Sequence, residues 1–219
     1  MRIETGTIRQ SPFVGIFAVT TEKITFIPKT ASEKETKELE RLFETEIIKA
    51  SIANSSLLGV LATGNSKGIL LSSIAEEAEQ NELEEAGIKT KKIENMTAVG
   101  NLLAINDTKG ICSQAFTDKQ IKEIEKFLGI KLKKTKIAGT DLVGSSIVTT
   151  NKGFMINKLC NNDEAKKIEE HFKTPGAKGT ANAGDCFVGN SLIANTKAAL
   201  AGNITTGFEL ARIDEGLRG

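Results

Sequence analysis

Tryptophan and tyrosine are absent from this 219-residue chain, and phenylalanine, at ten residues, is its only aromatic. Platforms that stack nucleobases on successive rings are therefore not expected. An excess of charge is missing too: 29 Lys and Arg face 28 Asp and Glu. A protein that coats nucleic acid carries a basic surplus, so that class is excluded. No run reaches the roughly 18 apolar residues of a membrane-spanning helix. Met1-Arg2-Ile3-Glu4 reads as the approach to a strand rather than a leader peptide. Cysteine is scarce; Cys112, Cys160 and Cys186 are odd in number and lack metal-ligand spacing, which predicts reduced thiols in a cytoplasmic protein. Proline occurs only as Pro12, Pro28 and Pro175, at element edges, and no low-complexity linker divides the chain.

What the chain has is repetition. Gly15, Gly59, Gly100, Gly144 and Gly189 recur at spacings of 44, 41, 44 and 45 residues and use up residues 1–219 in five units. Such a period signals a solenoid, a propeller or a closed array, in which units too small to bury an apolar face alone share one core. One domain of five repeats is expected. The second unit shows the phrase best: Asn54 and Gly59, then Val60-Leu61-Ala62-Thr63, then Asn65-Ser66-Lys67-Gly68 and Ile69-Leu70-Leu71. The third keeps Asn95, Gly100, Asn106, Lys109 and Gly110, and the fourth Gly139, Gly144, Asn151, Lys152 and Gly153. The fifth has Gly184, Gly189, Asn195 and Lys197; the first keeps Gln10 and Gly15, with Thr21-Glu22-Lys23 at the turn.

Short apolar runs around an Asn/Lys/Gly turn predict a β-hairpin, since Asn and Gly accept the positive φ of tight turns. The leading glycine is expected to let strands approach near a shared axis. A helix is predicted after each hairpin. Ser32 with Glu35, Ser73 with Glu76, Thr117 with Gln120 and Thr206 with Glu209 fit the capping box, and Asn162 is the expected cap of the fourth helix. Apolar stripes follow at Leu39, Leu42 and Phe43; at Ile121, Ile124 and Leu128; at Ala165, Ile168 and Phe172; and at Leu210, Ile213 and Leu217. The second helix is the faintest, with Ile74, Ala75 and Ala78 ahead of a polar stretch. Extended runs at 47–52, 88–93 and 130–137 follow earlier helices, but only Arg218-Gly219 follows the fifth. Arg2–Ile8 must supply the missing strand, which closes a ring and removes exposed sheet edges. The prediction is a five-bladed α/β propeller with pseudo-fivefold symmetry.

Catalytic groups do not converge in the sequence. His171 is the only histidine, on the fourth helix, whereas Cys186 precedes the Phe187-Val188-Gly189 run near the hairpin layer. A Cys/His pair could attack a carbon centre only if the fold joined them. Cys112 is expected to fill core space. The run Lys131-Leu132-Lys133-Lys134-Thr135-Lys136 could touch phosphate, but reads first as a solvated strand guarded by lysines. No phosphate-binding glycine loop or metal-ligand cluster is present. These absences point to a binding protein whose surface is its product.

The repeats, with Gly179-Thr180-Ala181-Asn182-Ala183-Gly184, Ile193-Ala194-Asn195-Thr196-Lys197 and Thr205-Thr206-Gly207-Phe208-Glu209-Leu210 in the fifth unit, resemble the translation initiation factor 6 family in its archaeal form. Ala98-Val99-Gly100-Asn101 and Leu142-Val143-Gly144-Ser145 match as well, and the resemblance covers essentially the whole chain. Departures are Asn203 and Phe208, where the family usually carries Asp and Pro, and Gly139-Thr140 in place of an opening Asn. The resemblance implies the five-bladed pentein propeller, no catalysis and no cofactor. It implies binding to the large ribosomal subunit, through a ribosomal protein of the intersubunit face with ribosomal RNA nearby, so that premature joining is blocked. A monomer is expected. The residues after the marker glycines, Ile16, Val60, Asn101, Ser145 and Asn190, form an equivalent ring and the candidate ribosome contact, led by Asn101, with Asn65 and Lys67 beside it. The alternative is a pentein enzyme that modifies guanidino groups through Cys186 and His171. A third reading, homo-oligomers joined through strand edges, is opposed by ring closure.

Overall fold

The computed structural model describes residues 1–219. The chain begins with β1 (Arg2–Gly6) and then repeats one order: a one-turn helix, two strands, a long helix and a third strand. The first unit is α1 (Val14–Phe17), β2 (Val19–Thr20), β3 (Ile24–Pro28), α2 (Glu33–Phe43) and β4 (Glu46–Ala50). The second is α3 (Leu58–Leu61), β5 (Ala62–Asn65), β6 (Gly68–Leu71), α4 (Glu77–Glu85) and β7 (Thr90–Lys92). The third is α5 (Val99–Leu102), β8 (Leu103–Ile105), β9 (Lys109–Cys112), α6 (Asp118–Leu128) and β10 (Lys131–Lys134). The fourth is α7 (Val143–Ser146), β11 (Ile147–Thr149), β12 (Phe154–Asn157), α8 (Asn162–Phe172) and β13 (Gly176–Gly179). The fifth has α9 (Val188–Ser191), β14 (Leu192–Ala194), β15 (Ala198–Gly202) and α10 (Gly207–Arg218).

Each unit forms a three-stranded sheet, giving five sheets in all. The first two strands of a unit pair antiparallel, and the strand after the long helix pairs parallel with the second. A parallel neighbour needs a crossover, and the long helix provides it. The fifth sheet is completed by β1, with Arg2 opposite Ala198 and Gly6 opposite Gly202, as ring closure required. The inner strands β2, β5, β8, β11 and β14 touch in that cyclic order, and the one-turn helices form a second ring beside them. The molecule is a five-bladed pentein-type propeller.

Burial shows that the core is shared between units. Ile193 and Leu200 of the fifth unit pack with Val14, Leu39 and Phe43 of the first. Leu70 of the second lies among Val99, Phe116 and Ile124 of the third. Burying side chains of this size contributes about 1.5–3 kcal/mol each, and much of it is lost if one unit leaves the ring.

The one-turn helix is the element that the sequence reading missed. The marker glycines sit inside these helices rather than in strands. A side chain on any of them would overlap the carbonyl oxygen of the neighbouring marker: Gly59 meets Gly15, Gly100 meets Gly59, Gly144 meets Gly100, Gly189 meets Gly144, and Gly15 meets Gly189. Five glycines thus pave a closed contact around the axis.

The Asn of the hairpin turn also acts differently from expectation. Asn65, Asn106 and Asn195 are absent from the positive-φ residues. They use the side chain instead: Oδ1 of Asn106 accepts from Thr108 N at 2.9 Å and Lys109 N at 2.8 Å. Such Asx turns need the amide, not the left-handed backbone. Positive φ belongs to the residue five positions before each marker glycine: Gln10 (60°), Asn54 (55°), Asn95 (59°), Gly139 (78°) and Gly184 (112°).

Two caps shift. The second long helix is capped by Glu76 with Glu79 rather than Ser73 with Glu76, and the fourth by Asn161 with Glu164 rather than by Asn162. The predicted boxes at Ser32, Thr117 and Thr206 form as expected. The acid at the third helical position does a second job. Glu79 accepts from Ala53 N at 2.6 Å and Asn54 N at 3.0 Å, and Glu209 from Ala183 N at 3.1 Å and Gly184 N at 2.8 Å. It holds the left-handed turn that precedes the one-turn helix, so helix start and axial ring are tied together.

Candidate docking face

The two ends of the propeller axis are chemically unlike. Each inner strand runs away from its one-turn helix, and the second strand returns antiparallel. The turn into the long helix therefore comes back beside the one-turn helix: Ser72 N donates to Leu61 O at 2.8 Å, and Ser113 N to Leu102 O at 2.9 Å.

This helix end collects every exposed large hydrophobic residue of the protein. Phe13, Leu57 and Leu142 stand just ahead of one-turn helices, Ile74, Leu159 and Ile204 in turns into long helices, and Phe208 in the first turn of α10. All seven lie at one end of the ring and none at the other, and apolar surface gathered on one face is where an interaction site is expected.

The ring predicted from the sequence lies at the same end. Ile16 N donates to Phe13 O, Val60 N to Leu57 O and Asn101 N to Ala98 O, each at 3.1 Å, and Asn190 N to Phe187 O at 2.9 Å. This i, i+3 spacing puts each ring residue on the same side as the apolar residue before it. Ile16, Val60, Asn101 and Asn190 are half-buried, whereas Ser145 is only 4% exposed. Asn65 and Lys67 are not with them. They lie beyond the far end of β5, where the Asn65 amide is buried and bonded and Lys67 Nζ donates to Gly129 O, at the C-terminus of α6, at 3.1 Å. A cation there meets the negative end of the helix dipole.

Sequence reasoning overlooked Phe13, Leu57 and Leu142. Their signal was present: all stand two residues before a marker glycine. The one-turn helix that exposes them was not foreseen, so their repeat phase carried no direction.

Between the rings runs an axial cavity of 110 Å³, lined by the marker glycines and by residues such as Ala62, Leu103 and Ile147. It is too small for a drug-sized ligand. No group of three His, Cys, Asp or Glu side chains is placed to hold a metal ion. Cys186 and His171 are not brought together. His171 Nε2 bonds Gly110 O at 2.8 Å, and Cys186 donates weakly to Gly184 O at 3.8 Å. Burial pushes the thiols of Cys112 and Cys160 up to about 12 and holds the His171 imidazole below its ordinary range. The lysine-rich run forms the outer strand β10, with Lys131 and Lys134 paired to Glu125 and Asp118. No helix is long and apolar enough to cross a membrane.

These features define a class: a closed five-unit α/β propeller whose exposed apolar side chains gather at one end. The chain belongs to the eIF-6 family, whose model matches residues 3–216. It is 34% identical over 224 residues to translation initiation factor 6 of Pyrococcus abyssi, covering 99% of each chain. It is 36% identical over 219 residues to the factor of Picrophilus torridus, covering 98% of this chain and 99% of the relative. With the factor of Methanocaldococcus jannaschii it shares 35% identity over 215 residues, 94% and 93% of the two chains. C. jejuni agmatine deiminase shows a partial likeness, with a TM-score of 0.39 and 14% identity over 56% of this chain and 49% of the other, too loose to bear on fold or activity.

Proposed function

We propose that the protein binds the large ribosomal subunit on its intersubunit face and thereby prevents premature joining of the small subunit. The observation that carries this reading is the helix end of a chain of the eIF-6 family, which holds all seven exposed large hydrophobics and, on the same face, the half-buried Asn101. An apolar centre with a polar rim suits a protein interface, here with a ribosomal protein and with ribosomal RNA at the margin. The protein acts as a cytoplasmic monomer, a single domain of five repeats, and does no chemistry. The near-zero balance of charge means that docking rests on shape and apolar area rather than on a basic field.

Sedimentation through a sucrose gradient with purified subunits tests this. The protein should run with large subunits and reduce the pool of joined particles. Recovery of the protein at the top of the gradient, with joining unaffected, would overturn the reading.

A further inference from the structure

A pocket of 460 Å³ opens off the apolar end between the fourth and fifth units. Lys158, Lys178 and Arg212 line it, and Phe208 stands at its edge with 78% of its surface exposed. Leu159 and Ile204, the next most exposed large hydrophobics at 66% and 52%, follow Lys158 and precede Thr206 along the chain. One carboxylate lies in the wall, Glu209, and the protein itself uses it: Gly184 N, Thr180 Oγ and Thr206 N donate to it at 2.8, 2.7 and 2.8 Å. Neither Lys158 nor Lys178 has a carboxylate partner; Lys178 Nζ donates to Asn162 Oδ1 at 2.6 Å and Cys160 O at 3.2 Å. Arg212 shares Glu215 outside the pocket.

We propose that this pocket takes an acidic, apolar-tipped peptide segment of a protein on the large ribosomal subunit, a proposal that rests on the docking reading above. Charge complementarity selects the acid: Lys158 and Lys178 line the pocket without a carboxylate partner, Arg212 stands beside them paired to Glu215 outside it, and Glu209 is already held by its own donors. The exposed trio of Phe208, Leu159 and Ile204 selects an apolar neighbour in the same segment. A polynucleotide fits less well. The cations gather at one pocket instead of tracking a strand, and the other exposed large hydrophobics of the turns on either side, Leu159 and Ile204, are aliphatic where a base-stacking platform uses aromatics. The pocket lies off the axis, so the partner's grip is asymmetric although the fold is nearly fivefold. The floor is fixed, because Glu209 pins the left-handed turn at Ala183 and Gly184.

The test places photoreactive p-benzoylphenylalanine at position 208 of the full chain, with purified large subunits as the probe. Illumination should give an adduct that survives ribonuclease and is digested by protease. Phe208→Ser and Lys158→Glu, both at exposed sites, should each weaken binding at least about five-fold, as loss of an interface hot spot does, with unchanged melting. An adduct destroyed by ribonuclease would overturn the proposal in favour of RNA. Co-sedimentation without any adduct, and with Phe208→Ser and Lys158→Glu binding normally, would overturn the pocket but leave the docking reading standing. Failure to co-sediment would overturn both.

Discussion

The side-chain amide of Asn65 donates to the backbone carbonyl of Asn106, 3.2 Å away in the next unit. The same residue type repeats the clasp: Asn106 donates to Thr150 O at 2.9 Å, and Asn195 to Thr21 O at 3.4 Å. Where threonine takes the place, the hydroxyl serves only its own turn, as Thr21 and Thr150 do with Ile24 O and Gly153 O. The hairpin end is therefore stitched at three seams, while the helix end is left to face outward.

Removing a stitch should loosen the ring. Asn106→Ala strips the Thr150 carbonyl and the local turn of a buried partner, and should cost about 1–3 kcal/mol, the range for leaving buried polar groups unsatisfied. Asn106→Thr should cost less, because a hydroxyl already holds the equivalent turn at Thr150. Urea denaturation of the three proteins checks the order.

The glycine ring gives a sharper contrast. At Gly100 a Cβ would overlap Gly59 O and lie 2.7 Å from Ala62 O, both backbone atoms that cannot swing away. Gly100→Ala should therefore lose more than about 3 kcal/mol, at the severe end for single substitutions. Gly207→Ala, with nothing within 4 Å of the added carbon, should be neutral or stabilise by up to about 1 kcal/mol through better helix propensity. Equal melting temperatures for the two variants would refute the axial contact.

Stability should fall in acid through the turn-holding carboxylates. Burial alone would raise Glu79 and Glu209, but several backbone N–H donors together outweigh it and hold both below the ordinary value of 4.5. A depressed folded pKa adds stability that is present above the unfolded value and lost as pH falls through the folded one. The protein should therefore keep this contribution at pH 5 and above and lose it progressively as pH falls below the ordinary value of 4.5. Glu79→Gln should be less stable at pH 7 and show a shallower decline below that point, measured by denaturant midpoints across pH.

Thiol reactivity should divide the three cysteines. Cys112 and Cys160 are buried, with their thiols pushed up to about 12, while Cys186 is half-exposed. An aromatic disulfide reagent should label Cys186 alone in the native protein and all three after unfolding. Fast labelling of Cys112 in the native state would contradict the closed core.

Binding should depend on the helix end and not on the hairpin end. Asn101→Asp places a charge on the half-buried ring of the helix end, and Phe13→Ser removes exposed apolar area there. Each should weaken association with large subunits about ten-fold without lowering the melting temperature, as a loss near 1.4 kcal/mol implies. Lys67→Ala, at the opposite end, should leave binding unchanged.

Much of this molecule was written in one dimension. The period, the number of units, the long helices with their Ser32, Thr117 and Thr206 caps, and closure by the N-terminal run, expected over Arg2–Ile8 and formed by Arg2–Gly6, all follow from local propensity and from the need to share a core. What the sequence left open was direction. The one-turn helices have only four residues each, too short for a periodic signal, so whether Asn101, Asn65 and Lys67 shared a surface could not be read. Tertiary structure decided it by sending β5 away along the axis, burying Asn65 in the seam and leaving Asn101 half-buried at the end that carries the exposed hydrophobics. The physical reason is the axial contact itself: only when five glycine helices meet backbone to backbone do repeat-equivalent residues acquire a common outward face.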